Sequence, residues 1–396
     1  MTFLRNRRGK ERDSWTRKGN DMTTIDFVTN AFSGGGPRNI YTISSLLNDS
    51  GFSSSILSFN ELSYRNESNR IVDQFGISIR KPSGKIDAVN RVLSISDNLS
   101  LPLLPMFLFQ EYVTRVAALK SFPSPDVYVS TFWQSVIPTD YVARKLVRPH
   151  LYFVQADETR FSANRIYKKM VEKTYRLDIT KFTHSRWVKE YLDKNFGGNT
   201  EFIGMGINHN VFKPQNLEKK PCIFTIARGG AEKGFDVFVK AMNELKKRGN
   251  DFKVIIAGNR KFIDSTNDKF GFEFEYENPG WIRDDGELAA LYESCIFVNT
   301  GRFEALPMPP LEAMACGSSV VLTDMPGARE YAVDGKNSLL CEADNPICFA
   351  EKVEELLLSD SLRSSLGKEG IETASRYTWE EVKRRMINLL KDQGLA

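Results

Sequence analysis

Residues 222–247 read CIFTIARGGAEKGFDVFVKAMNELKK, and their pattern decides the fold. The stretch from Cys222 to Ala227 is an apolar run of strand length, the segment from Ala227 to Gly234 interrupts it with three glycines, and an amphipathic stretch continues to Lys247. Strand, glycine-rich turn and helix in that order open a βαβ unit, whose repetition builds a parallel sheet. Outward from there the pattern predicts strands at 252–257, 272–277, 295–299 and 319–323. Helices are predicted at 285–292 and 310–315, the second opening on a proline that is preorganised for a first helical turn. A similar series precedes it, with strands at 25–29, 126–131, 150–155 and 179–183. Its helices run from Pro37 toward Asn48 and from a Ser185 cap to Leu192. The expected fold class is therefore α/β, with two doubly wound halves. Between them, 207–220 carries Asn208, His209, Asn210, Pro214 and Gln215 but little apolar periodicity, and it reads as a hinge. From Pro346 onward the chain reads as helical, ending in a segment at 379–391.

Composition bounds the function. A chain of 396 residues, 41% hydrophobic and 26% charged, has the makeup of a globular protein of two to three domains. Its 54 basic and 50 acidic side chains leave a net charge of +4, too balanced for a protein that coats phosphate backbones, which argues against nucleic acid as a partner. Residues 1–21 hold seven basic and three acidic side chains, so this tail carries the whole excess. No apolar stretch follows it, so it reads as a disordered arm and not as a signal peptide or membrane anchor, with a weak hold on anionic lipid as the alternative. The stretch 99–109, LSLPLLPMFLF, is interrupted by Pro102 and Pro105 and is too short to span a bilayer. It reads as a buried loop and helix start, the alternative being an apolar patch for a lipid-linked or glycan acceptor. The five cysteines show no CxxC and no metal spacing with histidine, so they read as reduced thiols and place the chain in the cytoplasm.

Ligands of open α/β sheets sit outside the carboxyl ends of strands, where helix amino termini present free N–H groups. Two loops have that position. In the first, 33–38 (SGGGPR), Gly34, Gly35 and Gly36 allow close backbone approach to an anion or a sugar, although such turns also serve ordinary strand-to-helix packing. It is not GxGxxG, and no GxxxxGK[ST] occurs in the chain, which lowers the dinucleotide and NTPase readings. In the second, Arg228 and Lys233 make a cradle for a diphosphate, with solvated surface charges as the alternative. Residues 303–317, FEALPMPPLEAMACG, then place Glu304 just past a strand end and Glu312 in the first turn of the next helix. Two glutamates bracketing a proline-rich loop can reach different hydroxyls of one elongated ligand. Otherwise Glu312 is a helix-dipole partner and Glu304 a loop charge. Asp157 and Glu158, the nearest candidates for a general base, read better as an exposed acidic loop. His150, His184 and His209 pair with no serine or cysteine nucleophile at recognisable spacing.

The Arg228…Lys233-Gly234 loop, the strand end 256–259, the Glu304/Glu312 pair, and Pro326-Gly327-Ala328 with Glu330 and Asp334-Gly335 follow in a telling order. Together they resemble the retaining nucleotide-sugar glycosyltransferases of glycosyltransferase family 4, across 22–396 and most specifically over 223–340. The first half is most similar to bacterial cell-surface rhamnosyltransferases. The resemblance implies a GT-B fold, two Rossmann-like doubly wound domains facing each other across a cleft. The acceptor domain would span 22–208 and the donor domain 209–378, with a C-terminal helix at 379–396 returning to the first. It also implies roles. Arg228 and Lys233 would hold the donor diphosphate, Glu304 hydroxyls of the transferred sugar, and Glu312 a ribose hydroxyl. Gly34, Gly35, Gly36, Asn259, Ile282 and Leu306 would complete the donor site, with the backbone at 280–282 facing the base. The nucleotide sugar is then a substrate, no cofactor is implied, and the absence of any Asp-x-Asp pair fits a site without metal. The implied acceptor is a glycan or lipid-linked glycan, with peripheral contact at the inner face of the membrane.

Two departures from the family bear on chemistry. Where it runs Glu-Gly-Phe-Gly, this chain has Glu304-Ala305-Leu306-Pro307, and its prolines donate no N–H. Many relatives carry a histidine against the sugar 6-hydroxyl where this chain has Gln155, so the expected donor is a 6-deoxy sugar, dTDP-L-rhamnose first. The competing readings are a hexosyltransferase using a UDP- or GDP-sugar, a nucleotide-sugar epimerase and a noncatalytic binding subunit. A nicotinamide oxidoreductase would need the missing dinucleotide fingerprint.

Overall fold

The computed structural model describes residues 22–29, 35–58, 72, 74–80, 112–113, 115–218 and 221–395. The tail 1–21, Gly34 and the 99–109 stretch lie outside the described residues. The chain packs as two units, one running to Tyr152 and rejoined from Leu390, the other Phe153–Leu389.

The first unit contains β1 (Thr24–Thr29), α1 (Gly35–Asn48), β2 (Ser53–Ser58), β3 (Ser78–Arg80), β4 (Val127–Ser130), α2 (Trp133–Lys145) and β5 (His150–Phe153). These strands are parallel, in the order β3-β2-β1-β4-β5. Helix α1 opens two residues before Pro37, so Gly35 and Gly36 lie in its first turn. Strands β2 and β3 escape the sequence pattern because Ser53-Ser54-Ser55 looks like a turn. In the fold those serines are satisfied: Ser54 Oγ meets Ser44 Oγ at 2.8 Å, and Ser55 Oγ donates to Asp26 at 2.5 Å. Asp26, buried in mid-strand, also pairs with Arg80 at 3.2 Å, which joins β1, β2 and β3 through one carboxylate. Leu395 is buried in this unit, and its carbonyl accepts from Thr23 Oγ1 at 3.1 Å.

The second unit begins with α3 (Arg165–Tyr175), β6 (Thr180–Thr183), α4 (Arg186–Phe196) and β7 (Glu201–Phe202), β6 and β7 pairing in parallel. It continues through β8 (Cys222–Ala227), α5 (Phe235–Lys247), β9 (Lys253–Gly258), α6 (Arg260–Phe270), β10 (Tyr276–Glu277) and α7 (Asp285–Ser294). Then follow β11 (Ile296–Asn299), α8 (Met308–Ala315), β12 (Val320–Thr323), β13 (Leu339–Cys341), α9 (Pro346–Leu358), α10 (Asp360–Ala374) and α11 (Trp379–Asp392). The six strands from β8 form a parallel sheet in the order β10-β9-β8-β11-β12-β13. Side chains alternate across it: Phe224 and Phe297 enter one core with Tyr292, Leu311 and Met314, while Ile223, Ile296 and Val298 enter the other with Phe238, Ile256 and Phe349. Chain order reverses between β8 and β11, the switch point where open sheets of this kind bind ligands.

The boundary expected at 208 and the 207–220 segment lie within Phe153–Leu389, where Ile207 N–H donates to Tyr377 O at 3.0 Å and His209 Nε2 lies 3.1 Å from the same carbonyl. Several other expectations change. The strand expected at 272–277 shortens to Tyr276–Glu277, because Phe272 and Phe274 stack at 5.2 Å and pack into the core beside Phe235 and Phe238. Asp157 and Glu158 are buried instead of exposed: Asp157 caps a short 3-10 turn by accepting from Thr159 N–H, and Glu158 N–H donates to Tyr175 Oη at 2.8 Å. Four of the five cysteines are paired, Cys222 with Cys295 and Cys341 with Cys348. Cys222 opens β8 and Cys295 immediately precedes β11; sheet pairing brings their Cα atoms to 4.9 Å across 73 residues, which spacing along the chain could not show. The reduced-thiol argument for a cytoplasmic location therefore loses its support. Cys316 alone is free, and burial, with Glu293 and Glu312 nearby, pushes its thiol up to about 12. Among the described residues no helix is long and apolar enough to cross a membrane.

Candidate active site

The site is built where β8 and β11 end side by side. After β8 the chain passes through Arg228, two glycines and a 3-10 turn at Ala231–Lys233, then reverses at Gly234 to start α5. Gly234 has φ +64°, and a Cβ there would lie 1.9 Å from the Thr300 carbonyl oxygen, so only glycine lets the two loops approach. Thr300 Oγ1 donates to Gly234 O at 2.8 Å, and Arg302 N–H donates to Glu232 O at 2.8 Å. The Arg302 guanidinium forks onto Asp236 with two bonds of 2.9 Å and reaches Asp344 at 2.6 Å. That fork holds the Asp236 carboxyl below its usual range. Thr300, Arg302 and Asp236 thus staple the loops together. Sequence reading missed all three, because their roles exist only once β8 and β11 are neighbours.

The staple gathers three of the expected site residues. Arg228 Nη2 and Nη1 meet Glu304 Oε1 and Oε2 at 2.9 and 3.3 Å, a bidentate pair, and Lys233 Nζ meets Oε2 at 3.2 Å. Burial alone would push the Glu304 carboxyl up, but Arg228 and then Lys233 outweigh it and hold the group below the usual carboxylate range, hence ionised. Arg228 Nε is buried with no hydrogen-bond partner among the described residues, a donor left over for an anion. Thr225, Asn299, Thr300 and Pro309 line a small pocket with Arg228 and Lys233. Two cations facing one carboxylate leave the cluster with an excess positive charge beside that pocket.

Other expected residues are placed differently. Helix α8 starts at Met308, so Glu312 lies in its second turn and not its first. Glu312 is half-buried, and after burial itself it is the main cause that pushes the Tyr292 phenol well above its usual range. At the start of α8, Pro307, Pro309 and Pro310 leave Met308 as the one residue with an N–H among the first four positions. Leu306 is 7% exposed and sits in the core instead of lining the pocket, and Ile282 packs partly buried on the same core. Asn259 is exposed and caps α6, its side chain accepting from Phe262 N–H at 3.3 Å. Gly35 and Gly36 belong to the first unit.

The histidines serve structure. His150 Nε2 lies 2.8 Å from Ser130 Oγ. His184 is buried, and burial holds it down at about 4. An unfolded imidazole titrates near 6.5, so as pH falls from 7 to 4 the unfolded chain takes up a proton that the folded chain refuses, and stability drops by about 3 kcal/mol. Denaturant unfolding of the wild type and His184→Gln across that range should show the loss in the wild type and a flatter curve in the variant.

Residues 197–373 match the family model described as glycosyl transferases group 1. The match covers a little under half of the chain. The group 1 region takes in the whole six-stranded sheet and the Arg228–Lys233–Glu304 cluster. Among curated relatives, the chain is 26% identical over 243 residues to an uncharacterized glycosyltransferase of Methanocaldococcus jannaschii, covering 60% of this chain and 66% of that protein. It is 28% identical over 274 residues to an O-antigen biosynthesis protein of Myxococcus xanthus, covering 68% and 21%. It is 29% identical over 182 residues to the N,N'-diacetylbacillosaminyl-diphospho-undecaprenol alpha-1,3-N-acetylgalactosaminyltransferase of Campylobacter jejuni, covering 45% and 46%. The chain therefore spans between about a fifth and two thirds of the length of these relatives. Among solved structures, a sucrose-phosphate synthase from Thermosynechococcus elongatus superposes with a TM-score of 0.76 at 16% identity, covering 94% of this chain and 99% of that one. An Anabaena protein in complex with UDP and glucose superposes at 0.73 and 14%, covering 93% and 100%. At these identities the likeness establishes the fold: two parallel-sheet, Rossmann-like domains of the GT-B kind.

Proposed function

We propose that this protein is a retaining glycosyltransferase of family 4 that moves a sugar from a nucleoside-diphosphate donor to a growing bacterial surface glycan. The observation that carries the reading is the Arg228–Lys233–Glu304 cluster at the switch point of the group 1 region. As the bond to the sugar breaks, negative charge develops on the leaving diphosphate. Arg228, with its spare Nε, and Lys233 neutralise that charge, so fixed side-chain cations do the work without a metal ion. Ionised Glu304 accepts hydrogen bonds from hydroxyls of the transferred sugar, and Glu312 takes a ribose hydroxyl. The acceptor attacks from the leaving-group side and its proton passes to the departing phosphate oxygen, so no separate base is assigned. A lipid-linked glycan is the proposed acceptor, a reading supported by the undecaprenol named in the Campylobacter relative and the O-antigen named in the Myxococcus one. The inner face of the membrane is kept as the proposed place of work, on the acceptor's chemistry alone.

The proposed donor is dTDP-L-rhamnose. Gln155 is half-buried and its Oε1 has no partner among the described residues, so it could still accept from a 6-hydroxyl, and the test must include hexoses that carry one. Turnover of dTDP-rhamnose, UDP-glucose, UDP-galactose and GDP-mannose, with and without chelator, should be fastest for dTDP-rhamnose, indifferent to chelator, and should retain anomeric configuration. Preference for a hexose overturns the donor but not the transferase, release of an epimer without acceptor favours the epimerase, and turnover of no donor overturns the transferase.

A further inference from the structure

The residues on either side of Glu304 are gripped by one side chain from outside the six-stranded sheet. Trp187, in the first turn of α4, donates its Nε1–H to the Ala305 carbonyl at 2.8 Å. Its ring meets that of Phe303 edge-on, with centroids 5.4 Å apart at 79°. Arg160 covers Phe303 with its guanidinium 4.2 Å from the ring centroid. Trp187 is itself fixed: its backbone N–H donates to Glu330 Oε1 at 3.3 Å, and the α4 cap residue Ser185 donates to the same oxygen at 2.5 Å. Opposite, Gly327 comes so close that a Cβ there would stand 2.4 Å from the carbonyl oxygens of Glu304 and Ala305. Tyr331 Oη donates to Pro307 O at 2.7 Å, which pins the far end of the loop.

We infer that Trp187 is a positioning residue for the reaction, setting where the Glu304 carboxylate stands through its bonds to Phe303 and Ala305. The inference rests on the glycosyltransferase reading for its consequence, but not for its geometry. A carboxylate meant for sugar hydroxyls must be placed closely, and a misplacement of about 1 Å from a residue remote from the chemistry can cost about 100-fold in rate. Loop 303–307 has no regular structure of its own to hold it. Two carbonyl hydrogen bonds, the close approach of Gly327 and one edge-on ring contact take that place, and Trp187 supplies one of the hydrogen bonds and the ring contact.

Trp187→Phe keeps an aromatic ring toward Phe303 but removes the Nε1 donor together with part of the indole. Turnover should fall 10- to 100-fold with the Kd for the free nucleoside diphosphate within twofold of wild type, because Arg228 and Lys233 do not touch Trp187. Backbone amide exchange at 303–306 should accelerate while exchange in α5 and β8 stays unchanged. A purely structural role would instead lower diphosphate affinity, turnover and thermal stability together, and that pattern overturns the inference. Wild-type turnover with unchanged exchange at 303–306 overturns it as well. If the wild type turns over no nucleotide sugar, the functional reading falls, and the exchange measurement alone still decides whether Trp187 places the loop.

Discussion

Replacing Lys233 with alanine should cut turnover by about 100- to 1,000-fold and leave the fold in place. A single aimed, charge-assisted donor is worth about 2.7–4 kcal/mol to a transition state that develops charge. Lys233 is one of two such donors beside the pocket, and its side chain is 24% exposed. Its bond to Glu304 in the free protein is a partly buried ion pair whose attraction is offset by the hydration both groups lose, for a net worth of about 1 kcal/mol. Arg228 still pairs with both oxygens of that carboxylate when the lysine is gone. The melting temperature should therefore move by about 4 °C at most. Steady-state turnover and thermal unfolding of Lys233→Ala check both halves of the prediction. Near-normal turnover in a folded variant would remove the diphosphate role.

Gly234→Ala should be far more damaging, although it adds one methyl group and no charge. A left-handed backbone costs a non-glycine residue about 1–2 kcal/mol, and forcing extra volume against packed neighbours about 1–3 kcal/mol more. Here the obstacle is the Thr300 backbone carbonyl, which cannot swing aside as a side chain would, since Thr300 also holds Gly234 O through its hydroxyl. A loss of at least about 3 kcal/mol is expected in denaturant unfolding. Because the clash lies between the two loops, affinity for nucleoside diphosphates should fall in whatever fraction remains folded. Gly229→Ala is the control: a Cβ there meets nothing within 4 Å, and both properties should be nearly unchanged.

How much of this was legible in the sequence depends on the range over which each signal acts. The β8–α5 unit was legible because an apolar strand and an amphipathic helix are local patterns, and Arg228, Lys233 and Glu304 stood out as charges at strand ends. Repeating that unit makes the strands parallel, but the order β10-β9-β8-β11-β12-β13 with its reversal between β8 and β11 is set by packing at long range, and the three-residue β13 is too short to leave a pattern. Polar strands were not legible: Ser53-Ser54-Ser55 is a strand only because Asp26 and Ser44 receive its hydroxyls. The burial of Asp157 and Glu158 depends on Tyr175 and Thr159 closing over them, and acidic residues in a row look exposed until the fold supplies such partners. The cysteine pairs joined residues that only sheet register makes neighbours. Arg302, Asp236 and Trp187 were missed for the same reason, since each acts across 60 residues or more of chain.

The prolines at the start of α8 have a consequence for the medium in which the protein works. A helix that opens with four free amides presents an anion with rigid dipoles, whose attraction is short-ranged and fixed in direction. With Met308 as the one donor in those positions, α8 offers little of that, and a diphosphate beside the pocket would be held chiefly by the side-chain charges of Arg228 and Lys233. Attraction between partly exposed charges weakens as ions crowd in, over a distance that shrinks from about 10 Å at 0.1 M salt to 3 Å at 1 M. Affinity for the nucleotide end of a ligand would then follow ionic strength, while the sugar end, whose hydroxyls carry no net charge, would follow it less.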